Sequence, residues 1–161
     1  AEAAVVSPKT VSAVVVSKTH FLTPLIHPDA FDAPIQHLLD QLRTSREPLQ
    51  RIQLVVLITR QVYESLTGEF ELLRTAGVVA TELAELARQI EARRRDRQTY
   101  LIADLRGQGA LRQNLSLEEA TDVLWSLTSY DLYRMLVVER RWEASRYESW
   151  LTNLLLEHLL Q

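Results

Sequence analysis

The side chains best equipped for chemistry lie along one stretch, residues 93–104. An apolar stripe of Leu83, Leu86, Ala87 and Ile90 runs into it at helical spacing. The next helical steps land on Arg94 and Arg97 before returning to Leu101 and Leu105. Charge therefore stands where a core helix repeats Leu. Two readings are open. Either the helix leaves the core there and its charged face is solvated, or Arg97, Tyr100 and Asp104 form the polar wall of an internal cavity and hold a ligand's polar group. Glu91 and Asp96 interleave with the arginines, which suits a solvated helix face better than a nucleic-acid patch.

Other chemistry lacks the spacing it needs. His20, His27, His37 and His158 are scattered, and none forms H-E-x-x-H or pairs with a carboxylate at a ligand spacing, so no metal and no cofactor is expected. There is no G-x-S-x-G, no Walker loop and no G-x-G-x-x-G, since Gly107 and Gly109 lack a third Gly and a preceding strand. Asn114-Leu115-Ser116 matches the glycosylation pattern but reads as the approach to a helix. A helical enzyme built on the Arg and Asp residues of a cavity has no motif behind it, and the chain is read as a non-enzyme.

The elements that must position these residues are helices. Alternation of apolar and polar residues never persists, and the β-branched clusters at 14–16 and 54–58 sit inside longer helical patterns, so an all-α fold is expected. Asp32 and Pro34 start a helix whose Ile35, Leu38, Leu39 and Leu42 make a buried stripe. Ser45, with Pro48 in the next turn, starts a second whose run 54–58 is apolar on every side and belongs in the centre. A shorter helix over 69–76 is stopped by Gly77, and a long one over 81–106 ends at Gly107-Gln108-Gly109. Ser116 with Glu119, and Ser145 with Glu148, both fit the capping box. The first opens a helix with Ala120, Val123, Leu124 and Leu127 on one face. The second carries Tyr147, Trp150, Leu151, Leu154, Leu155 and Leu159, a stripe that either a partner subunit or the chain's own core covers.

Composition narrows the class. With 161 residues, 47% of them apolar and only four Gly and five Pro, the chain can bury a substantial core as one ordered unit. The absence of Cys excludes disulfides and thiolate zinc sites and suits a reducing cytoplasm. No apolar stretch approaches the roughly 20 residues that span a bilayer, and no signal peptide is evident, so a cytoplasmic protein without a membrane partner is expected. A net charge of −3 argues against coating nucleic acid by electrostatics alone. Lys9 and Lys18 face only Glu2 among the first residues, a small basic head on an acidic body that suits phosphate contact at one end.

Residues 107–151 read GQGALRQNLSLEEATDVLWSLTSYDLYRMLVVERRWEASRYESWL. The order of a Gly before Ala-Leu, a Ser-x-Glu-Glu-Ala helix start, Leu-Trp-x-Leu-Thr, Leu-Val-x-Glu-Arg and Tyr-x-x-Trp-Leu resembles the TetR family of transcriptional regulators. These are helical homodimers with an N-terminal helix-turn-helix. The resemblance implies a TetR-like helical bundle in which the Ser116 and Ser145 helices pair with their copies across a dimer interface, with Trp142, Tyr147, Trp150, Leu151, Leu154 and Leu155 as interface candidates. It implies a ligand cavity enclosed by helices over 52–66 and 81–106. Trp125 and Thr128 contribute to it from the next helix, and Tyr63, Phe70 and Tyr100 join Arg97 and Asp104 as pocket candidates.

The run SPKTVSAVVVSK, residues 7–18, resembles the second half of that helix-turn-helix. Ser7 matches its helix start, Thr10 the residue facing the groove and Lys18 the start of the next helix. The DNA contacts implied are Ser7, Lys9, Thr10, Ser12 and Lys18. Val5 stands where the family has a turn Gly, Ser12 where it has Tyr, and Val15-Val16 where it has Phe-Gly. Residues 1–26 are thus expected to be the remnant of an incomplete helix-turn-helix, with two explanations open: the chain is part of a longer regulator whose residues upstream of Ala1 complete the motif and bind operator DNA, or the protein has lost DNA binding. Residues 27–161 are expected to be the ligand-binding and dimerisation domain. The function implied is a ligand-responsive repressor that binds operator DNA as a homodimer and is released by a small molecule. The alternative is a dimeric helical small-molecule sensor without DNA binding.

Overall fold

A computed structural model describes residues 22–76 and 80–161. The DNA-contact candidates Ser7, Lys9, Thr10, Ser12 and Lys18, and the helix stop at Gly77, lie outside the described residues. Within them the fold is all-α, without a strand: α1 Thr23–Ile26, α2 Ala33–Thr44, α3 Pro48–Ser65, α4 Thr67–Ala76, α5 Thr81–Gly107, α6 Leu117–Leu127, α7 Tyr130–Tyr133 and α8 Ala144–Leu159. A 3-10 turn, Pro28–Ala30, links α1 to α2, and a π-helical turn, Arg134–Glu139, follows α7. None of the helices among the described residues is long and apolar enough to cross a membrane.

Local chemistry sets most boundaries. The Asp32 carboxylate accepts from the Ile35 amide at 3.1 Å and caps α2, with Pro34 in the first turn. Ser116 and Glu119 form the full capping box of α6: the Glu119 amide donates to Ser116 Oγ at 3.1 Å, and the Ser116 amide donates to the Glu119 carboxylate at 2.8 Å. Gly109 ends α5 at φ 70°, the left-handed conformation that Gly adopts without a Cβ penalty. The amides of Gly109 and Ala110 turn back to the carbonyls of Arg106 and Leu105, satisfying two of the helix's last acceptors.

Two expected caps are absent. Ser45 does not cap α3: its hydroxyl donates to the Gln50 side chain at 2.7 Å, and Glu47 precedes Pro48 without a side-chain cap. Ser145 lies inside α8, which begins at Ala144. Glu148, the residue that would reach back to complete that box, instead accepts from Arg60 Nε of α3 at 2.7 Å. A half-buried ion pair between helices has displaced a local cap.

Two hydrophobic clusters form the interior. The larger joins α3, the C-terminal half of α5, α6 and α8, through fully buried Ile52, Val56, Ile102, Leu105, Leu124 and Leu151 among others. Truncating any of these Leu or Ile side chains to Ala costs about 2–5 kcal/mol. The smaller gathers Leu22, Leu25, Leu73, Ala80, Leu83 and Ile90 around the N-terminal half of α5. Phe70 packs against both clusters. Helix α5, 27 residues and therefore about 40 Å long, runs through both. In α2 only Ile35 is fully covered, while Leu38, Leu39 and Leu42 keep part of their surface.

Candidate ligand cavity

The partly covered face of α2 looks onto a cavity of ≈ 340 Å³ between α2, α3 and α5. Leu39 and Leu42 of α2, Val55, Ile58 and Val62 of α3, and Ile90 and Leu101 of α5 supply its apolar wall. Leu25 and Pro28 border it from the turns that follow residue 22. On α5 the lining positions are Ile90, Glu91, Arg94, Arg97, Gln98 and Leu101, which the helical period places on one face. The interruption of the Leu stripe is therefore a cavity wall. The size falls in the ordinary range for small-molecule sites, roughly 300–1,000 Å³.

Thr128, just past α6, ties the polar edge of this cavity together. Its hydroxyl donates to the Leu124 carbonyl at 2.6 Å and accepts from Gln98 Nε2 at 2.8 Å and from the Arg94 guanidinium at 3.0 Å. Its carbonyl accepts from Tyr63 Oη at 2.7 Å. Arg94 also donates to the Trp125 carbonyl at 3.0 Å and to the Glu91 carboxylate at 2.7 Å, and its guanidinium lies 5.3 Å from the centre of the Trp125 ring. The cation thus sits at the negative end of α6, where it satisfies carbonyls the helix cannot. Burial raises the Tyr63 phenol well above its ordinary range and keeps it a neutral donor.

Arg97 differs from its neighbours. Burial first, then the nearby Arg94 and Arg93 charges, lower its pKa from the usual guanidinium value, although an arginine stays protonated at any physiological pH. No hydrogen bond or ion pair holds it among the described residues. By surface area Arg97 is an exposed residue: its side chain lines the cavity and also reaches solvent, so the desolvation is partial.

Of the pocket candidates, Tyr63, Phe70, Arg97 and Thr128 line this cavity. Trp125 lines a neighbouring one of ≈ 310 Å³, which shares Phe70, Ile90 and Glu91 with the first. Tyr100 and Asp104 line neither. Tyr100 is 78% exposed on the outer side of α5, and Asp104 pairs with the buried Arg51 of α3. Sequence reasoning missed Gln98, Thr59 and Leu39 as lining residues. The first two carry no pattern, and Leu39 reads as ordinary core.

The interface candidates divide in the same way. Tyr147, Leu151 and Leu155 are fully buried within the chain, so they are core residues of α8 and offer no surface to a second subunit. Trp142, Trp150 and Leu154 are half-buried. The two indoles meet edge to face with centroids 5.7 Å apart, and Arg146 covers Trp142 at 4.0 Å. Among the described residues no group of three His, Asp or Glu side chains is placed to hold a metal.

The chain matches no family model, no curated protein and no solved structure. Fold and site define a class: an all-α protein with a mostly apolar cavity between its helices and charge at one edge of that cavity.

Proposed function

We propose that the chain is the sensing body of a TetR-like transcriptional repressor, a cytoplasmic homodimer that binds operator DNA and releases it when a small molecule enters the cavity. The observation that carries this is the position of the cavity. Leu25 and Pro28 belong both to its wall and to the junction with the N-terminal segment that resembles a recognition helix. Occupancy would press on that junction. Two recognition helices of a dimer must sit about one DNA turn apart, roughly 34 Å, so a small pivot there suffices to weaken binding. Trp142, Trp150 and Leu154 are the apolar residues of the expected interface that keep surface for a partner.

A mobility-shift assay with the full-length gene product and its own upstream DNA tests the reading. A band retarded at low salt is expected, and its absence would leave a helical sensor without DNA activity. Trp150→Arg is expected to yield monomer by sedimentation, and a variant that stays dimeric would refute the interface.

A further inference from the structure

Three arginines and one acid line the main cavity, and their pairing is unequal. Arg43 pairs with Asp40 at 2.7 Å, and Arg94 pairs with Glu91 at the same distance. Arg97 pairs with nothing among the described residues. The charges that act on it are those of Arg94 and Arg93, opposed by that of Glu91. The cavity therefore carries about one uncompensated positive charge beside an apolar wall. A neutral occupant would cover part of the surface through which water reaches the exposed Arg97 and offer the guanidinium no counter-charge. A cationic one would meet repulsion.

We propose that the cavity takes an apolar monoanion, a carboxylic acid with a hydrocarbon or aryl body, whose carboxylate pairs with Arg97. Its body lies against Leu39, Val55, Ile58 and Ile90. A planar guanidinium matches a carboxylate in a two-pronged arrangement, and one unpaired cation balances one negative charge. Glu91 on the same wall disfavours a second. This deepens the regulator reading and rests on the cavity being a ligand site.

The test is calorimetric titration of the full chain, at neutral pH and low salt, with matched pairs that differ only in the head group: decanoate, 1-decanol and decylamine, then 1-naphthoate and 1-naphthol. In at least one pair the acid is expected to bind about tenfold or more tighter than its alcohol, as a charged hydrogen-bonded pair warrants. Decylamine is expected to bind most weakly. Arg97→Gln should abolish the preference while leaving alcohol binding unchanged, and Arg97→Lys should retain part of it. Because Arg97 has no partner to lose, neither substitution should lower the melting temperature. Equal binding of acid and alcohol, or a preference that survives Arg97→Gln, overturns the anion proposal and leaves the ligand-site reading standing. Failure of every compound to bind overturns both.

Discussion

Replacing Arg94 by Met keeps the hydrocarbon stem and deletes the guanidinium that joins α5 to the end of α6. The consequences can be followed acceptor by acceptor. Glu91 is 37% exposed and regains water, so its half of the ion pair contributes little. Thr128 Oγ1 still accepts from Gln98, and the Thr128 carbonyl still accepts from Tyr63. The Trp125 carbonyl loses both of the contacts Arg94 makes to it. One acceptor left short of partners costs about 1–3 kcal/mol, and a cation removed from a helix C-terminus roughly 0.3–1 more. The expected loss is about 2 kcal/mol, or a melting temperature lower by about 4–8 °C in a chain of this length. Urea denaturation followed by circular dichroism measures it. A double-mutant cycle with Thr128→Val isolates the shared contact, for which a coupling above about 0.5 kcal/mol is expected. Lys at position 94 places one point charge where a fork spanned the Glu91 carboxylate, the Trp125 carbonyl and both oxygens of Thr128, so it should recover less than half the loss. A loss below about 0.5 kcal/mol, or no coupling to Thr128, would refute the account of Arg94 as the cap of α6.

The two Ser positions that look alike in sequence should behave differently in the same denaturation assay. Ser116→Ala is expected to cost about 1 kcal/mol, whereas Ser145→Ala, which removes no cap, should stay within about 0.5 kcal/mol of the parent. The buried hydroxyls of Tyr63 and Tyr147 make a second contrast. Tyr63→Phe breaks the bond to Thr128 and should cost about 1 kcal/mol, while Tyr147 Oη is buried without a partner, so Tyr147→Phe should be neutral or stabilising. Burial also raises the phenols of Tyr63, Tyr130, Tyr133 and Tyr147 above their ordinary value. A raised folded-state pKa leaves stability intact below the unfolded phenol value of about 10 and erodes it as pH climbs beyond, because the unfolded chain ionises first. Melting temperature and phenolate absorbance recorded together against pH should fall and rise in step, and a melting temperature flat well past that value would contradict the burial.

Helices were legible wherever the signal was local. Asp32 with Pro34, and Ser116 with Glu119, carry their caps within one turn of sequence, and the observed α2 and α6 begin where they direct. Ser145 misled because Glu148 answers to Arg60, far away in the chain, and no local pattern contains that partner. The break after Leu127 was also missed: Thr128 bends its hydroxyl back to Leu124 and Ser129 opens a new short helix. The cavity was half legible. Arg94 and Arg97 in a Leu register announce a polar wall, but the pattern does not tell which of Arg97, Tyr100 and Asp104 faces it, because Asp104 is captured by Arg51 from another helix. The α8 stripe shows the same limit. An apolar face states the direction in which a helix is buried, not what buries it, and in α8 Tyr147, Leu151 and Leu155 meet the chain itself.

The passage of α5 through both hydrophobic clusters makes it a beam resting on two bearings, one at Leu83 and the other at Leu101 to Leu105, with the cavity beneath its midspan and Phe70 as a pin between the supports. Arg94 stands about 16 Å from the Leu83 bearing, so a lift of about 1 Å at the cavity turns the near arm by roughly 4°. That arm shares its bearing with Leu22 and Leu25. A change in the height of the midspan is thereby converted into an angle at the cluster that also holds Leu22 and Leu25.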